Sequence, residues 1–189
     1  MTYQTVRQVY SAADLPFTQC DSLDFVSGDY DREIAKRIVK VIREEAPITE
    51  WLLIKRVINS FGIYKAGSKI KAHMEKLLMN MRLNDTRDKT GTVYWKEKQR
   101  PSSYNVYRIF GAYDETVRDV QYVPDAEIAN AAASVLEEEN LTYEDLARKT
   151  AFLLGYTRMG TNVTAGMKRG IECAVKMKKI RQKSCEYEN

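Results

Sequence analysis

Apolar residues recur at helical spacing along this chain in two groups of three runs, and the two groups follow the same order. In the first group Ile34, Ile38, Val41 and Ile42 mark an amphipathic helix over 31–45. Ala46-Pro47 stops it, because proline cannot continue the backbone ladder and turns its predecessor away from α geometry. Ile48 supplies a short extended residue, and Thr49 is the expected N-cap of a second helix that buries Leu52, Ile54, Val57, Ile58 and Phe61. Gly62 ends that helix, since glycine tolerates the left-handed conformation past a C-terminus. Gly67-Ser68 opens a third helix with Ser68 as its expected cap and Ile70, Met74, Leu77, Leu78 and Met81 as its stripe.

The second group runs from about Pro124 to Ile180. Ile128, Ala132, Val135 and Leu136 line its first helix, and Leu146, Thr150, Leu153 and Leu154 its second, capped by Thr142. Val163, Met167, Ile171 and Ala174 line the third. Gly166 and Gly170 lie inside that helix, each costing about 1 kcal/mol against alanine, and close backbone approach by a neighbouring helix is the expected compensation.

The two groups are copies. At an offset of 93, Ile48-Thr49-Glu50 falls on Leu141-Thr142-Tyr143, and Phe61 to Ile70 falls on Leu154 to Val163. The shared pattern is apolar-Gly-x-x-(Lys/Arg)-x-Gly-(Ser/Thr)-x-(Ile/Val), and Glu33-Ile34-Ala35 matches Glu127-Ile128-Ala129 after a one-residue gap. A repeat of this length implies one structural unit used twice.

After the first three helices the pattern changes. Asn84 to Gly91 is polar and turn-rich, and Thr92 to Trp95 is β-branched and aromatic. A loop through Arg100-Pro101-Ser102-Ser103 leads to a second such run, Tyr104 to Phe110, so 92–95 and 104–110 are expected to form a β-hairpin. Three helices followed by a hairpin is the order of a winged helix-turn-helix. The expected fold is mainly α with a small β-hairpin (α+β), built as tandem winged helix-turn-helix repeats. The divisions are an N-terminal arm at 1–30, a first unit at 31–112, a connector at 113–123 and a second unit at 124–189. Beyond Ile180 there is room for a single short strand at most, so the second wing is expected to be reduced or absent.

Composition adds little until it is localised. The 44% hydrophobic and 30% charged content is that of a globular chain, no apolar run is long enough to span a membrane, and the N-terminus has no secretory pattern. Cys20, Cys173 and Cys185 are an odd set without C-x-x-C spacing, which with the single His73 excludes most zinc sites and argues for a reducing cytoplasm. The net charge of +4 is uneven: residues 31–112 hold 18 Lys/Arg against nine Asp/Glu, whereas 1–30 sum to −3 and 113–189 to −2. The first unit is therefore the expected partner of an anionic polymer.

Catalytic chemistry is not expected. His73 has no companion for a triad or a metal, and Glu137, Glu138 and Glu139 occupy consecutive helix positions that point apart. Glu75-Lys76 and Glu97-Lys98 lack the intervening residue of a nuclease Glu-x-Lys arrangement. No cofactor, metal or small-molecule substrate is expected.

Duplex DNA is the expected ligand. In a helix-turn-helix the second helix of the motif enters the major groove, which here is the third helix of each unit. With the apolar stripe inward, Ser68, Lys69 and Lys76 face outward in the first copy, with Lys71 at the border, and Asn162 and Arg169 face outward in the second. Lys65 and Arg158 precede those helices in the turn, and the wing loop adds Arg87, Lys89, Lys96, Lys98 and Arg100. Such contacts go mainly to phosphate, so weak sequence preference and strong salt dependence are expected.

The repeated Gly-x-x-(Lys/Arg)-x-Gly-(Ser/Thr) turns, with Arg118-Asp119-Val120-Gln121-Tyr122-Val123-Pro124 between the copies, resemble a known family over roughly 31–180. It is the uncharacterised domain near the C-terminus of large bacterial superfamily 1 helicase-like proteins that also carry a restriction-endonuclease-like domain. The domain itself has no established activity there, so the resemblance implies a setting, DNA processing or defence, and a helicase or nuclease partner. This chain departs from those proteins in having no G-x-x-x-x-G-K-(S/T) phosphate loop, as a fragment of a longer protein or a stand-alone relative would. The alternative is a protein-docking or self-association scaffold, since the second unit has little electrostatic reason to approach DNA.

Overall fold

In the computed structural model, residues 4–112, 116–136, 140–183 and 186–188 are described. They form an α+β architecture of seven α-helices and three small sheets. The chain divides into two compact units. The first comprises Ser11–Arg87 and Gly91–Lys98; the second comprises Met1–Tyr10, Asp88–Thr90 and Gln99–Asn189.

The first unit opens with a short helix α1 (Ser22–Phe25), capped by the Asp21 carboxylate, followed by α2 (Asp31–Glu45). The chain then runs through β2 (Ile48–Thr49), α3 (Glu50–Asn59) and α4 (Ser68–Asn80), and finishes with β3 (Asp85–Asp88), whose last residue is counted with the second unit, and β4 (Gly91–Tyr94). Helix α2 stops at Ala46-Pro47 as its sequence requires. Ile34, Ile38, Val41, Leu53, Val57, Phe61 and Met74 make the buried centre. The stretch before α2 belongs to this core: Phe25 is buried with its ring edge-on to Phe61 at 5.2 Å, and Cys20 N–H donates to the Phe61 carbonyl at 3.1 Å. Arg37, buried within α2, donates to the Ser60 carbonyl and hydroxyl at 2.9 and 2.8 Å and to Thr18 Oγ1 at 2.6 Å. Residues 11–30 are thus an integral part of the first unit rather than an arm.

The second unit contains β1 (Val6–Val9), β5 (Val106–Ile109), α5 (Asp125–Val135), β6 (Leu141–Thr142), α6 (Tyr143–Leu153), α7 (Thr161–Lys176), β7 (Arg181–Lys183) and β8 (Glu186–Glu188). Helix α5 is its spine: all residues from Asp125 to Ala133 are buried, as expected of a helix with small apolar residues on every side. Its charged members are paired. Glu127 accepts from Arg108 N–H at 2.9 Å, from Arg108 Nη2 at 2.6 Å and from Arg118 Nη1 at 2.9 Å, and the Arg118 guanidinium lies 4.2 Å from the Tyr10 ring.

The 93-residue offset holds in three dimensions. Strands β2 and β6, helices α3 and α6, and helices α4 and α7 begin at aligned positions. Gly62 and Gly155 both adopt positive φ, +75° and +100°, and the bonds around them correspond. Gly62 N–H donates to Asn59 and Ile63 N–H to Ile58, at 3.0 and 3.1 Å; Gly155 donates to Phe152 and Tyr156 to Ala151, at 3.0 and 2.9 Å. Each pair ties off carbonyls left open at a helix end.

The strands depart from expectation in two places. The first hairpin is β3–β4, not 92–95 with 104–110. A tight turn at Lys89-Thr90 closes it early: Asp88 Oδ1 accepts from Thr90 N–H at 2.7 Å and Gly91 takes φ +105°. The run around 106–109 instead forms β5 and pairs in parallel with β1. The second copy also holds a hairpin where one short strand at most was expected. Its sheet order β6-β8-β7 repeats β2-β4-β3, and the register repeats too, Ile48 opposite Tyr94 and Leu141 opposite Tyr187. The second hairpin is the shorter, with three residues in each of β7 and β8 against four in each of β3 and β4.

Candidate functional site

The residues expected to bind converge best on α4. The glycine turn after α3 brings Lys65 to the surface, and Gly67, not Ser68, takes the N-cap position, leaving Ser68 as the first helical residue. The stripe Ile70, Met74 and Leu78 is buried, so Ser68, Lys69, Ala72 and Lys76 are exposed on the opposite face. Helices α2, α3, α5 and α6 each carry Asp or Glu in their first turn, whereas α4 and α7 carry none there. The positive end of the α4 dipole is therefore left unneutralised by its own sequence, next to Lys65 and Lys69.

Two neighbours restrict the α4 face. Lys71 Nζ lies 4.5 Å above the Trp51 ring and 3.7 Å from Glu75, so it is half-committed. His73 is tied to Asp31, Nε2 to Oδ1 at 2.7 Å, and stands edge-on to Phe25. Trp51, half-exposed at the start of α3, was missed in the sequence. Its signal was available: a tryptophan just off the apolar stripe of its helix has no inward role to explain it.

The remaining candidates scatter. Arg87 on β3 is exposed, as are Lys96 and Lys98 after β4. Lys89 and Arg100 belong to the second unit: Lys89 forms an ion pair with Glu172, and Arg100 Nη1 donates to the Gln99 carbonyl at 3.0 Å. In the second copy Arg158 and Asn162 are exposed around the start of α7. Arg169 is largely buried, its side chain only 13% exposed. Its guanidinium pairs with the Asp125 carboxylate and donates to the carbonyls of Val120 and Val123, bracing the approach to α5. A cation at a helix-face position was captured by a buried carboxylate that the local pattern could not supply.

The charge contrast shrinks on folding. Because residues 11–30 join the first unit, that unit holds 15 Lys/Arg against 12 Asp/Glu, and the second holds 15 against 14. What distinguishes the first unit is placement: Lys69 and Lys76 on α4 and Lys65 in the turn before it are exposed, with no ion-pair partner among the described residues.

Nucleophilic and metal chemistry have little to build on among the described residues. Burial pushes the Cys20 thiol up and the Cys173 thiol to about 11, away from thiolate reactivity. No group of three or more His, Cys, Asp or Glu among the described residues is placed to hold a metal ion. Glu137, Glu138, Glu139 and Cys185 lie outside the described residues. No helix of the described residues is long and apolar enough to cross a membrane.

Residues 24–72 match the model of a family described as a protein of unknown function (DUF3320). The match covers about a quarter of the chain, from α1 through α2 and α3 into the first turns of α4, and makes this region similar to an uncharacterised domain. No curated protein and no solved structure matches the chain.

Proposed function

We propose that the chain is a non-catalytic tandem winged helix-turn-helix module whose first unit binds duplex DNA through α4. Its role is accessory to a helicase or nuclease of DNA processing or defence. Supporting the winged-helix reading is the element order of each unit: helix, short strand, two helices, then a hairpin that pairs back onto the short strand. The observation that carries the ligand is the exposed face of α4, where Lys69 and Lys76, with Lys65 in the preceding turn, have no carboxylate partner among the described residues and the first turn lacks an acid. A helix offered in this way contacts phosphate first, and lysines supply charge without bidentate base readout, so sequence preference is weak. The first unit carries this function; in the second, Arg169 at the position aligned with Lys76 is occupied internally.

A titration of the full chain with a labelled duplex at two salt concentrations tests the proposal. Affinity falls steeply between about 50 and 200 mM salt, and Lys69→Glu with Lys76→Glu removes most of the binding. Absence of binding at low salt, or binding indifferent to the double substitution, overturns it.

A further inference from the structure

In the second unit β1 and β5 make a two-stranded parallel sheet in which Arg7 stands opposite Tyr107. Both line a groove of about 590 Å³, whose apolar wall is Val135 of α5 with Phe152 and Leu153 of α6. Phe152 is 70% exposed, a large apolar surface that the unit itself leaves in water. One turn earlier on the same face of α6 stand Arg148 and Lys149, so apolar surface and positive charge run side by side. The described lining has no carboxylate, and Arg148 engages Asp145 in an exposed pair at 3.5 Å, weak enough to exchange.

The strand edge adds direction. Val6 and Tyr10 donate their N–H groups to the Asn105 and Ile109 carbonyls, each at 2.9 Å. By strand alternation the backbone groups of Arg7 and Val9 face the open side of β1, which among the described residues has no neighbour but β5 in its sheet.

We propose that this groove receives an extended acidic segment of a partner protein. The segment adds beside β1 as a third strand, with apolar side chains against Phe152 and Leu153 and carboxylates toward Arg7, Arg148 and Lys149. Strand addition supplies directional hydrogen bonds, the apolar wall selects alternate side chains, and the three cations select the sign of the partner's charge. A polynucleotide would meet the cations but leave the strand edge and the Val135–Leu153 wall without partners.

The test is fluorescence anisotropy of the full chain with a short fluorescein-labelled peptide in which Leu and Phe alternate with Asp and Glu. Binding is saturable, and Phe152→Ser and the pair Arg148→Glu with Lys149→Glu each weaken it roughly tenfold or more. Replacing the Leu and Phe of the peptide with Ser has the same effect. All three protein positions are exposed, so the variants retain the wild-type circular dichroism spectrum. Lys69→Glu with Lys76→Glu leaves peptide binding unchanged, which separates this site from the DNA face. The proposal is overturned if the peptide does not bind saturably, if binding ignores Phe152→Ser, or if single-stranded oligothymidine displaces the peptide with the same dependence on both variants.

Discussion

Gly170 of α7 lies against Ile128 of α5 so closely that a Cβ on the glycine would stand 2.2 Å from Ile128 Cγ2 and 2.4 Å from Ile128 Cβ. Gly166, one turn earlier, meets Val120 in the same way at 2.2 Å. The helical cost of two glycines is thus offset by packing α7 directly onto Ile128 of the buried spine and onto Val120 just ahead of it. Helix propensity alone favours Gly170→Ala by about 1 kcal/mol, whereas overpacking a branched side chain costs about 1–3 kcal/mol. The two accounts differ in sign when the clash exceeds the propensity gain, and the branched, buried Ile128 gives little room. We expect Gly170→Ala to lower the denaturation midpoint, while Gly160→Ser, in open space at the α7 N-cap, leaves it unchanged or raises it. A raised midpoint for Gly170→Ala would sink the packing account.

Lys76 and Arg169 are the same position of the repeat with different fates. Arg169→Ala strands the buried Asp125 carboxylate and frees two backbone carbonyls, so it costs about 3 kcal/mol of stability. DNA affinity of the folded fraction stays at the wild-type value. Lys76→Ala does the reverse: stability is unchanged, affinity falls, and the slope of log affinity against log salt becomes shallower by about one. Urea denaturation and salt-dependent binding on both variants check the pair, and an exchange of the two phenotypes defeats it.

The helices were legible in the sequence because each is a local pattern closed by a local signal. Ala46-Pro47, Gly62 and Gly155 fall where the structure ends a helix, and the repeat carried the helices of the second copy, though not its hairpin. The strands were less legible, for physical reasons. Strand β3, Asp-Thr-Arg-Asp, has no apolar residue to announce it, being held by β4 and by Trp95 Nε1 donating to Thr86 at 2.8 Å. Strand β5 reads as a hairpin arm until its partner is known, and that partner, β1, lies about a hundred residues away. The same holds for the site. Lys65, Lys69 and Lys76 are exposed with no ion-pair partner among the described residues, but Arg169 and Lys89 looked equivalent and were taken by Asp125 and Glu172. Periodicity gives the face on which a side chain begins, not the distant group that captures it.

Glu127 ties acid stability to the second unit. Burial would raise its carboxyl, but the attraction of Arg108 and Arg118 outweighs that and holds it at about 2. The native state therefore binds fewer protons than the unfolded chain between the ordinary carboxyl value and about 2. Its contribution is complete above roughly pH 4.5 and is lost as the pH falls toward 2. Glu127→Gln leaves two buried guanidinium groups without their counter-ion and costs about 3–5 kcal/mol at neutral pH. The gap between wild type and Glu127→Gln, followed by urea denaturation, narrows on acidification through that window; a gap independent of pH would refute the assignment.

Lys179 works at the alkaline end with a charge of the other sign. It is buried at the end of the α7 region, where its ammonium donates to the Tyr104 carbonyl at 2.8 Å and to the Asn130 side-chain oxygen. Burial pushes it down to about 8 from 10.5. Between those two values the unfolded chain holds a proton that the native state has released, so stability rises with pH across that window. Below about 8 both states are charged and the full cost of burying the ammonium is present. Lys179→Met removes the titration while keeping the length of the side chain. The stability of wild type relative to Lys179→Met should therefore be flat through neutral pH and climb from about 8 toward 10.5. Measuring both proteins at each pH cancels the titration of every other group, and a flat difference across that range would falsify the role assigned to Lys179.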